Sequence, residues 1–176
     1  MYLQSFSIKD GSTVSFREES SVDLESIWGL FSSLSSTSRE TLPPFNRNLI
    51  QRWSESLDDV TFKPILATIE EDGAERIIGR ATLMHDLSPA TKHRAELGIV
   101  VHDDYQGKGI GSNLVLFMLH IARSRGLKKA ILDVFAENDR AVHVFEESGF
   151  DKEGIFPAHY WFRGRFYDVV RMGLAL

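Results

Sequence analysis

Cysteine is absent from this chain of 176 residues. Disulfide bonds, thiolate catalysis and cysteine-ligated metals are therefore excluded. Long apolar runs are absent too, since no stretch approaches the roughly 18 residues that a membrane-spanning helix needs. The first residues also lack the charged-then-apolar pattern of an export signal. We therefore expect a cytoplasmic protein without a membrane partner, and we expect no metal.

An excess of basic residues is lacking as well, because 20 lysines and arginines stand against 25 acidic residues and the formal net charge is −5. Nonspecific nucleic-acid binding depends on a basic surface, so we expect no nucleic-acid partner. Hydrophobic residues make up 43% and charged residues 26% of the chain, which is the balance of a globular protein. No repeat or linker divides the sequence, and we predict one domain over residues 1–176.

Hydrophobic periodicity predicts strands interleaved with helices. Residues 5–18 alternate as a strand that a turn at Asp10 and Gly11 interrupts. Segment 32–44 is rich in serine and threonine and is predicted as a loop or broken helix. The other predicted strands cover 65–70, 77–85, 97–101, 130–135, 155–162 and 166–174, and the helices cover 22–34, 46–56, 110–121 and 138–148. This order predicts an α/β fold, a mixed sheet with helices on both faces.

The glycine-rich run at 106–111, Gln-Gly-Lys-Gly-Ile-Gly, lies between a predicted strand and a predicted helix. Glycines there let the backbone approach a ligand closely, and the first amides of a helix have no internal partner. Together with the positive end of the helix dipole, these amides predict a site for a phosphate or pyrophosphate. Lys108 would add a solvent-facing charge. The residues predicted to bind with their amides are Gly107, Lys108, Gly109, Ile110, Gly111 and Ser112.

The spacing of the glycines disfavours two other phosphate motifs. A P-loop needs a lysine followed by Ser or Thr after its last glycine, whereas Lys108 stands between glycines. A dinucleotide fingerprint needs Gly-x-Gly-x-x-Gly, whereas the spacing here is Gly-x-Gly-x-Gly. A tight structural turn is the simplest alternative. The run fits Gln/Arg-x-x-Gly-x-Gly/Ala, beginning at Gln106, and so resembles the acetyl-CoA pyrophosphate loop of the GNAT superfamily of N-acyltransferases.

The flanking sequence extends this resemblance. Residues 95–105 resemble the family's fourth strand leading into its loop, and residues 130–150 resemble its block of strand, Asn, helix and Gly-Phe. The resemblance implies a mixed, mostly antiparallel sheet of about six to seven strands, splayed between the fourth and fifth. It also implies acetyl-CoA as cofactor and direct transfer of the acetyl group to a primary amine of a small molecule, a protein N-terminus or a lysine.

The resemblance assigns further residues to the cofactor. The pantetheine chain would pair with the exposed edge of the fourth strand, which puts Ile99 and Val101 at the thioester end. A main-chain N–H near Val101 would face the acetyl oxygen; ordinary core positions are the alternative for both residues. Asn138 matches a family Asn that contacts the pantetheine arm, and a helix N-cap is the equally simple alternative.

Glu96 is the candidate general base. It lies on the motif strand, where partial burial would raise its pKa toward neutral pH. The alternative is an edge-facing or salt-bridged glutamate. Asp133 has the corresponding place on the next strand and is the rival candidate. His102 is a further option, although a solvated loop histidine is the simpler interpretation.

One position departs from the family pattern. Many members carry a tyrosine seven residues after the Asn as general acid toward the leaving thiolate, whereas this chain has Phe145 there, next to the pantetheine region. Either the thiolate leaves unaided, or Tyr160 or Tyr167 substitutes, or the chain is an acyl-CoA-binding sensor or interaction module without turnover.

The acceptor amine is not identified by any motif. Its specificity is expected to depend on residues 32–47 and on the C-terminal hairpin, and homodimerisation stays open. Most aromatic side chains of that hairpin are expected to lie in the core, namely Tyr160, Trp161, Phe162, Phe166 and Tyr167.

Overall fold

A computed structural model describes residues 3–58 and 60–176 of the chain, which form one eight-stranded sheet with helices. The strands are β1 (Gln4–Ser7), β2 (Thr13–Glu18), β3 (Phe62–Glu71), β4 (Ala74–His85), β5 (Arg94–Val101), β6 (Lys129–Phe135), β7 (Asp151–Phe162) and β8 (Arg165–Ala175). The helices are α1 (Leu24–Ser33), α2 (Ser36–Glu40), α3 (Arg47–Glu55), α4 (Ile110–Ser124) and α5 (Asp139–Glu147). None of these helices is long and apolar enough to cross a membrane in the described part of the chain.

The strand order along the sheet is β1-β2-β3-β4-β5-β6-β8-β7. All neighbours are antiparallel except β5 and β6, which run parallel and are connected through α4. The predicted mixed, mostly antiparallel sheet is therefore confirmed. It has eight strands because a turn at Gly11, whose φ is 88°, divides the first predicted strand into β1 and β2.

Strands β5 and β6 pair only where they begin. Their register runs from Arg94↔Lys129 to Glu96↔Ile131, and no pairing between them follows in the remaining residues of either strand. The two strands therefore diverge beyond Glu96 and leave one edge of β5 open. This confirms the predicted splay, because β5 and β6 correspond to the family's fourth and fifth strands.

Helices cover both faces of the sheet, as predicted. On one face, Leu114 and Met118 of α4 pack with Phe16 and Leu83 in the larger hydrophobic core. On the other face, the side chains of α1 and α3 form a second cluster with Leu66 and Ile77. Burial of these apolar side chains is the main force that holds the helices against the sheet.

The predicted helix at 22–34 begins later than its apolar pattern indicates. A 3-10 turn covers Ser21–Asp23 and α1 follows, so that Val22, counted in the apolar stripe, is 86% exposed. The serine-rich segment after α1 contains the short helix α2. At α3 the side chain of Asn46 accepts a hydrogen bond from the N–H of Leu49 at 2.9 Å and caps the helix.

Candidate active site

The glycine-rich loop connects β5 to α4 through left-handed backbone. Gly107 has a φ of 77° and Gly109, the N-cap residue of α4, a φ of 83°, a conformation that glycine adopts at little cost. The N–H groups of residues 107–112 have no hydrogen-bond acceptor within the described part of the chain. They are therefore free to bind an anion at the start of a long helix.

The space beside these amides is open. A Cβ atom on Gly109 would lie 3.7 Å from Asn113 Nδ2, and one on Gly111 would lie 3.9 Å from Val101 Cγ2, with no closer neighbour. The glycines thus leave room on the loop surface that a side chain would fill. This room and the unpaired amides fit the pyrophosphate of acetyl-CoA.

Lys108, which the sequence predicts to add a solvent-facing charge, has a partly exposed side chain whose ammonium forms an ion pair. Its Nζ lies 2.9 Å from Asp10 Oδ2 in the turn between β1 and β2. It also lies 5.1 Å from the centroid of the Tyr105 ring. The ammonium is therefore already paired on one side of the loop.

The side chain of Gln106 is engaged by the protein itself. Its Nε2 donates to the carbonyl oxygen of Val101 at 2.9 Å and to Ser38 Oγ at 3.3 Å. Its Oε1 accepts from Arg140 Nη1 at 2.7 Å. Gln106 therefore joins the end of β5, α2 and α5 to the loop. Arg140 is a neighbour of the loop that the sequence interpretation missed.

The open edge of β5 carries the amides that the resemblance assigns to the thioester end. The N–H of His102 donates to the carbonyl of Ile78 in β4 at 2.8 Å. Because successive N–H groups along a strand point to opposite edges, those of Val101 and Ile99 face the gap toward β6. Their side chains pack against the larger core, so the backbone faces the gap while the side chains serve packing.

His102 is not a solvated loop residue, and that expectation is wrong. Only 6% of it is exposed. Its Nδ1 accepts a hydrogen bond from the N–H of Asp104 at 3.3 Å, which caps a 3-10 turn, and its ring lies edge-on to Tyr105. The imidazole therefore serves the turn that leads into the loop.

Glu96 lies where β5 and β6 separate, as the last residue of β5 that pairs with β6. It is half-buried, and its carboxylate has no hydrogen-bond or ion-pair partner among residues 3–58 and 60–176. Burial raises the pKa of Glu96 above its ordinary value, and the nearby Asp133 raises it further, while Arg171 and Arg94 oppose the shift. These are the properties of a general base that works near neutral pH.

Asp133 forms a bidentate ion pair with Arg171. The Nε–Oδ1 distance is 2.8 Å and the Nη2–Oδ2 distance is 2.7 Å, and 14% of the Asp133 side chain is exposed. Both carboxylate oxygens are therefore occupied, which makes Asp133 less suitable than Glu96 as a base. The sequence interpretation missed Arg171, because only the pairing of β6 with β8 brings it opposite Asp133.

Of the two candidate tyrosines, Tyr160 is the one near the carboxylates. It is half-buried and packs edge-on against Phe135 at 5.7 Å. Burial raises its pKa, and the charges of Asp133 and Glu96 add to this effect. Tyr167 is instead buried and stacked on Phe162 at 4.1 Å, so its ring belongs to the packing of the hairpin.

A bulge in β7 precedes Tyr160. The register passes from Phe156↔Val169 to Tyr160↔Tyr167, and Ala158 within it has a left-handed φ of 52°. Asp168 Oδ1 accepts a hydrogen bond from the N–H of Ala158 at 2.7 Å and holds this backbone. Bulges of this kind redirect the side chains that follow them.

The five hairpin aromatics divide between a core cluster and the surface. Trp161 is 62% and Phe166 61% exposed, whereas Tyr167 is buried. Tyr160 and Phe162 are partly buried and pack against the cluster of Phe135, Tyr167 and Val169, so three of the five aromatics belong to a core cluster. Trp161 and the paired Phe166 are exposed because β7 is the outermost strand of the sheet, so that few elements pack against this end of the hairpin.

Asn138 and Phe145 both lie on α5. The Asn138 Oδ1 accepts a hydrogen bond from the N–H of Ala141 at 3.1 Å, which confirms the N-cap; its contact with pantetheine stays a prediction. The Phe145 ring packs edge-on against Phe150 at 5.8 Å and joins the larger core. Its environment is therefore that of a packing residue.

The two segments assigned to the acceptor contact the rest of the site and each other. Asp103, just before the loop, accepts hydrogen bonds from Ser35 Oγ and Ser38 Oγ, each at 2.6 Å. Although burial alone would raise the pKa of Asp103, these bonds outweigh it and lower the pKa to about 2. Arg163 Nη2, at the tip of the β7–β8 hairpin, donates to the carbonyl of Arg39 at 3.2 Å.

Other concavities contribute nothing to this site. One of about 200 Å³ lies between β2, β3 and the end of α3, and one of about 390 Å³ lies along β2 and β3. Neither is lined by Glu96 or by the glycine-rich loop. Within the described ranges, no group of three or more His, Asp or Glu side chains is placed to hold a metal ion.

Comparison with known proteins gives a consistent result. The model of the acetyltransferase (GNAT) family matches residues 27–150. A spermidine N(1)-acetyltransferase of Vibrio cholerae is 33% identical over 141 residues, which cover 72% of this chain and 80% of that protein. An L-amino acid N-acetyltransferase of Escherichia coli is 27% identical over 122 residues, covering 68% and 73% of the two chains. The structure of a protein from Salmonella typhimurium with its cofactor acetyl-CoA superposes with a TM-score of 0.76 at 18% identity. The match covers 92% of this chain and 93% of that one, and it shows a similar fold.

Proposed function

The chain belongs to the acetyltransferase (GNAT) family, and from this premise we propose that it transfers the acetyl group of acetyl-CoA directly to a primary amine. The proposal rests on two features that lie along the open edge of β5, where it diverges from β6. One is the set of unpaired amides at the start of α4, and the other is the unpartnered carboxylate of Glu96 where β5 and β6 separate.

Acetyl-CoA, when bound, supplies the acetyl group as a reactive thioester. We assign its pyrophosphate to the amides of residues 107–112 and its pantetheine arm to the open edge of β5. The Val101 N–H on that edge would polarise the acetyl oxygen, as an oxyanion hole does. Holding both reactants in the gap supplies much of the rate, since orientation alone is worth up to about 7–11 kcal/mol in model systems.

Glu96 acts as the general base in this proposal. An alkylamine has a pKa of about 10.4 and arrives protonated, so a base must remove its proton before it attacks. Glu96 takes this proton directly or through a water molecule. Asp133 and Arg171 remain paired beside it. Burial raises the Glu96 pKa, and the negative charge of Asp133 adds to this shift while Arg171 opposes it.

Tyr160 is our candidate proton donor to the departing sulfur. A phenol has an ordinary pKa of about 10 and is protonated at neutral pH, and burial raises the Tyr160 pKa further. Phe145, by contrast, carries no proton to give. The donor is not indispensable, because a thiol pKa of about 8.5 lets a thiolate leave unaided.

The proposal is tested by incubating the protein with acetyl-CoA and a panel of amines and measuring free thiol. The panel includes polyamines and L-amino acids, because relatives are named for spermidine and for amino acids. We expect thiol release that depends on an amine and on Glu96. Absence of release with every amine at high protein concentration would refute catalysis.

The alternative is an acyl-CoA sensor or interaction module, which Phe145 favours because it replaces the family's tyrosine. Calorimetry separates the two functions. Tight binding of acetyl-CoA without turnover of any amine would favour the sensor, while weak binding would refute both.

We further propose that residues 1–176 act as one acetyltransferase domain in the cytoplasm. A family match that spans residues 27–150 and one sheet that includes both β1 and β8 support a single domain. Limited proteolysis that released a stable, separately folded piece would contradict it.

A further inference from the structure

The amide of Gln106 has a fixed orientation, because each of its atoms has a partner of one type. Nε2 donates to the carbonyl of Val101 at 2.9 Å, and Oε1 accepts from Arg140 Nη1 at 2.7 Å. Rotating the amide by 180° would place donor against donor and acceptor against acceptor. Gln106 therefore holds the guanidinium of Arg140 in place next to the loop.

Arg140 lies directly beside the loop backbone. A Cβ atom on Gly107 would be 3.5 Å from Arg140 Nη2, so the guanidinium lies on the side of the loop where a side chain at 107 would project. Its hydrogen-bond partner is the neutral amide of Gln106, and no carboxylate pairs with it in the described part of the chain. Lys108, by contrast, is paired with Asp10 at 2.9 Å.

The position of Arg140 in α5 is unfavourable for a cation. It is the second residue of the helix, and the positive end of a helix dipole destabilises positive charge in the first turn. The guanidinium of Arg140 thus has no carboxylate partner, destabilises its own helix and is held beside the unpaired amides of the glycine-rich loop. These properties suit a cation that binds an anion at the loop.

We infer that Arg140, positioned by Gln106, supplies the side-chain cation that binds a phosphate group at the nucleotide end of the acyl-CoA, and that Lys108 contributes less. This inference rests on the proposed function. The phosphate is either the pyrophosphate or the 3′-phosphate of the ribose, since both present the same oxyanion chemistry to a guanidinium.

The test compares coenzyme A binding by calorimetry, at one salt concentration, for the wild-type protein and four variants. Arg140→Ala is expected to weaken binding by about 10- to 100-fold, the span for a hydrogen-bonded charged contact. Arg140→Lys should recover part of this loss. Lys108→Ala should weaken binding less than Arg140→Ala, and Arg123→Ala, which removes an exposed arginine at the far end of α4, serves as the matched control.

Truncated ligands identify the phosphate and separate binding from folding. With S-acetylpantetheine, which has no phosphate, kcat/KM should be the same for wild type and Arg140→Ala. With 3′-dephospho-acetyl-CoA, an undiminished effect assigns Arg140 to the pyrophosphate, and a lost effect assigns it to the 3′-phosphate; both support the inference.

Four results would count against the inference. If Arg140→Ala binds coenzyme A like the wild-type protein, the assignment to Arg140 is refuted while the proposed function stands. If Lys108→Ala loses as much affinity as Arg140→Ala, the claim that Lys108 contributes less is refuted. An equal loss of kcat/KM with S-acetylpantetheine would show that Arg140 acts on something other than phosphate. If the wild-type protein bound no coenzyme A at all, the proposed function would fail together with the inference.

Discussion

Substitution of Gly111 separates the stability of the fold from cofactor binding. Gly111 is the second residue of α4 and has ordinary helical backbone, and a Cβ there would meet only Val101 Cγ2, at 3.9 Å. Replacing a helical glycine by alanine stabilises a helix by up to about 1 kcal/mol. Gly111→Ala should therefore keep or slightly raise the Tm, although its methyl group fills room beside the amides.

Gly111→Asp adds a charge to the same position. A carboxylate in the first turn of a helix is favourable by about 0.3–1 kcal/mol, so the fold should persist. Against a phosphate about 4 Å away, however, like charges repel by about 4 kcal/mol near a protein surface. With allowance for screening, we expect the Kd for acetyl-CoA to rise by about 10²–10³-fold.

Gly109→Asp is a less clean variant, because Gly109 has a φ of 83°. A residue with a side chain costs about 1–2 kcal/mol there, so a loss of binding must be distinguished from strain. Gly126→Asp is the matched control, since Gly126 follows the other end of α4 with a φ of 71° and open space around it. Calorimetry and circular dichroism on all four variants decide the question. Unchanged affinity in both Gly109→Asp and Gly111→Asp would remove the loop from the site.

Four further predictions concern the gap and its surroundings. Glu96→Gln should lower kcat by about 10²–10⁴-fold and remove the acidic limb of the pH profile; an unaltered limb would transfer the role to Asp133 or to bulk water. Because a base acts deprotonated and Asp133 raises the Glu96 pKa, Asp133→Asn should move the acidic limb to lower pH, and a shift to higher pH would count against this assignment. Asp168→Ala should lower the free energy of unfolding, measured in urea, by about 0.5–1.5 kcal/mol, because it removes the hydrogen bond from the N–H of Ala158. Adding Ala158→Gly should recover part of this loss, since glycine adopts the left-handed backbone at little cost. If the double variant recovers nothing, the backbone at Ala158 is not the source of strain. Phe145→Tyr should change turnover by only a few-fold in the thiol assay.

The features that could be predicted from the sequence are those that depend on neighbouring residues. The loop at 106–111 is recognisable because left-handed backbone needs glycine and because a strand pattern and a helix pattern adjoin it. The N-cap role of Asn138 is local for the same reason, since it depends on an amide three residues away. The splay followed from the family resemblance and not from the pattern of the residues.

The features that could not be predicted depend on partners far along the chain. Lys108 was expected to add a solvent-facing charge, and the ion pair with Asp10 could not be foreseen because the two residues are 98 positions apart. Arg171 comes opposite Asp133, 38 residues away, only through the register of β6 with β8. The register of β7 with β8 likewise places the bulge of β7 and hence Tyr160. Local periodicity predicts which face of a strand is buried, but it does not identify the residue that lies opposite on a distant strand.

The role of Phe145 shows how packing and chemistry separate at one position. Its ring fills a place between α5 and Phe150 in the core, and a tyrosine would fill the same place while adding one hydroxyl group. If that hydroxyl had been essential to proton transfer, its absence would leave a sensor, and Phe145→Tyr would restore activity. A rise of about 100-fold or more would mean that ~2.7 kcal/mol of transition-state stabilisation had been missing, at ~1.36 kcal/mol per tenfold. We expect the small change, because the unpaired amides, the Glu96 carboxylate and the phenol of Tyr160 already meet the needs of the reaction without a donor on α5.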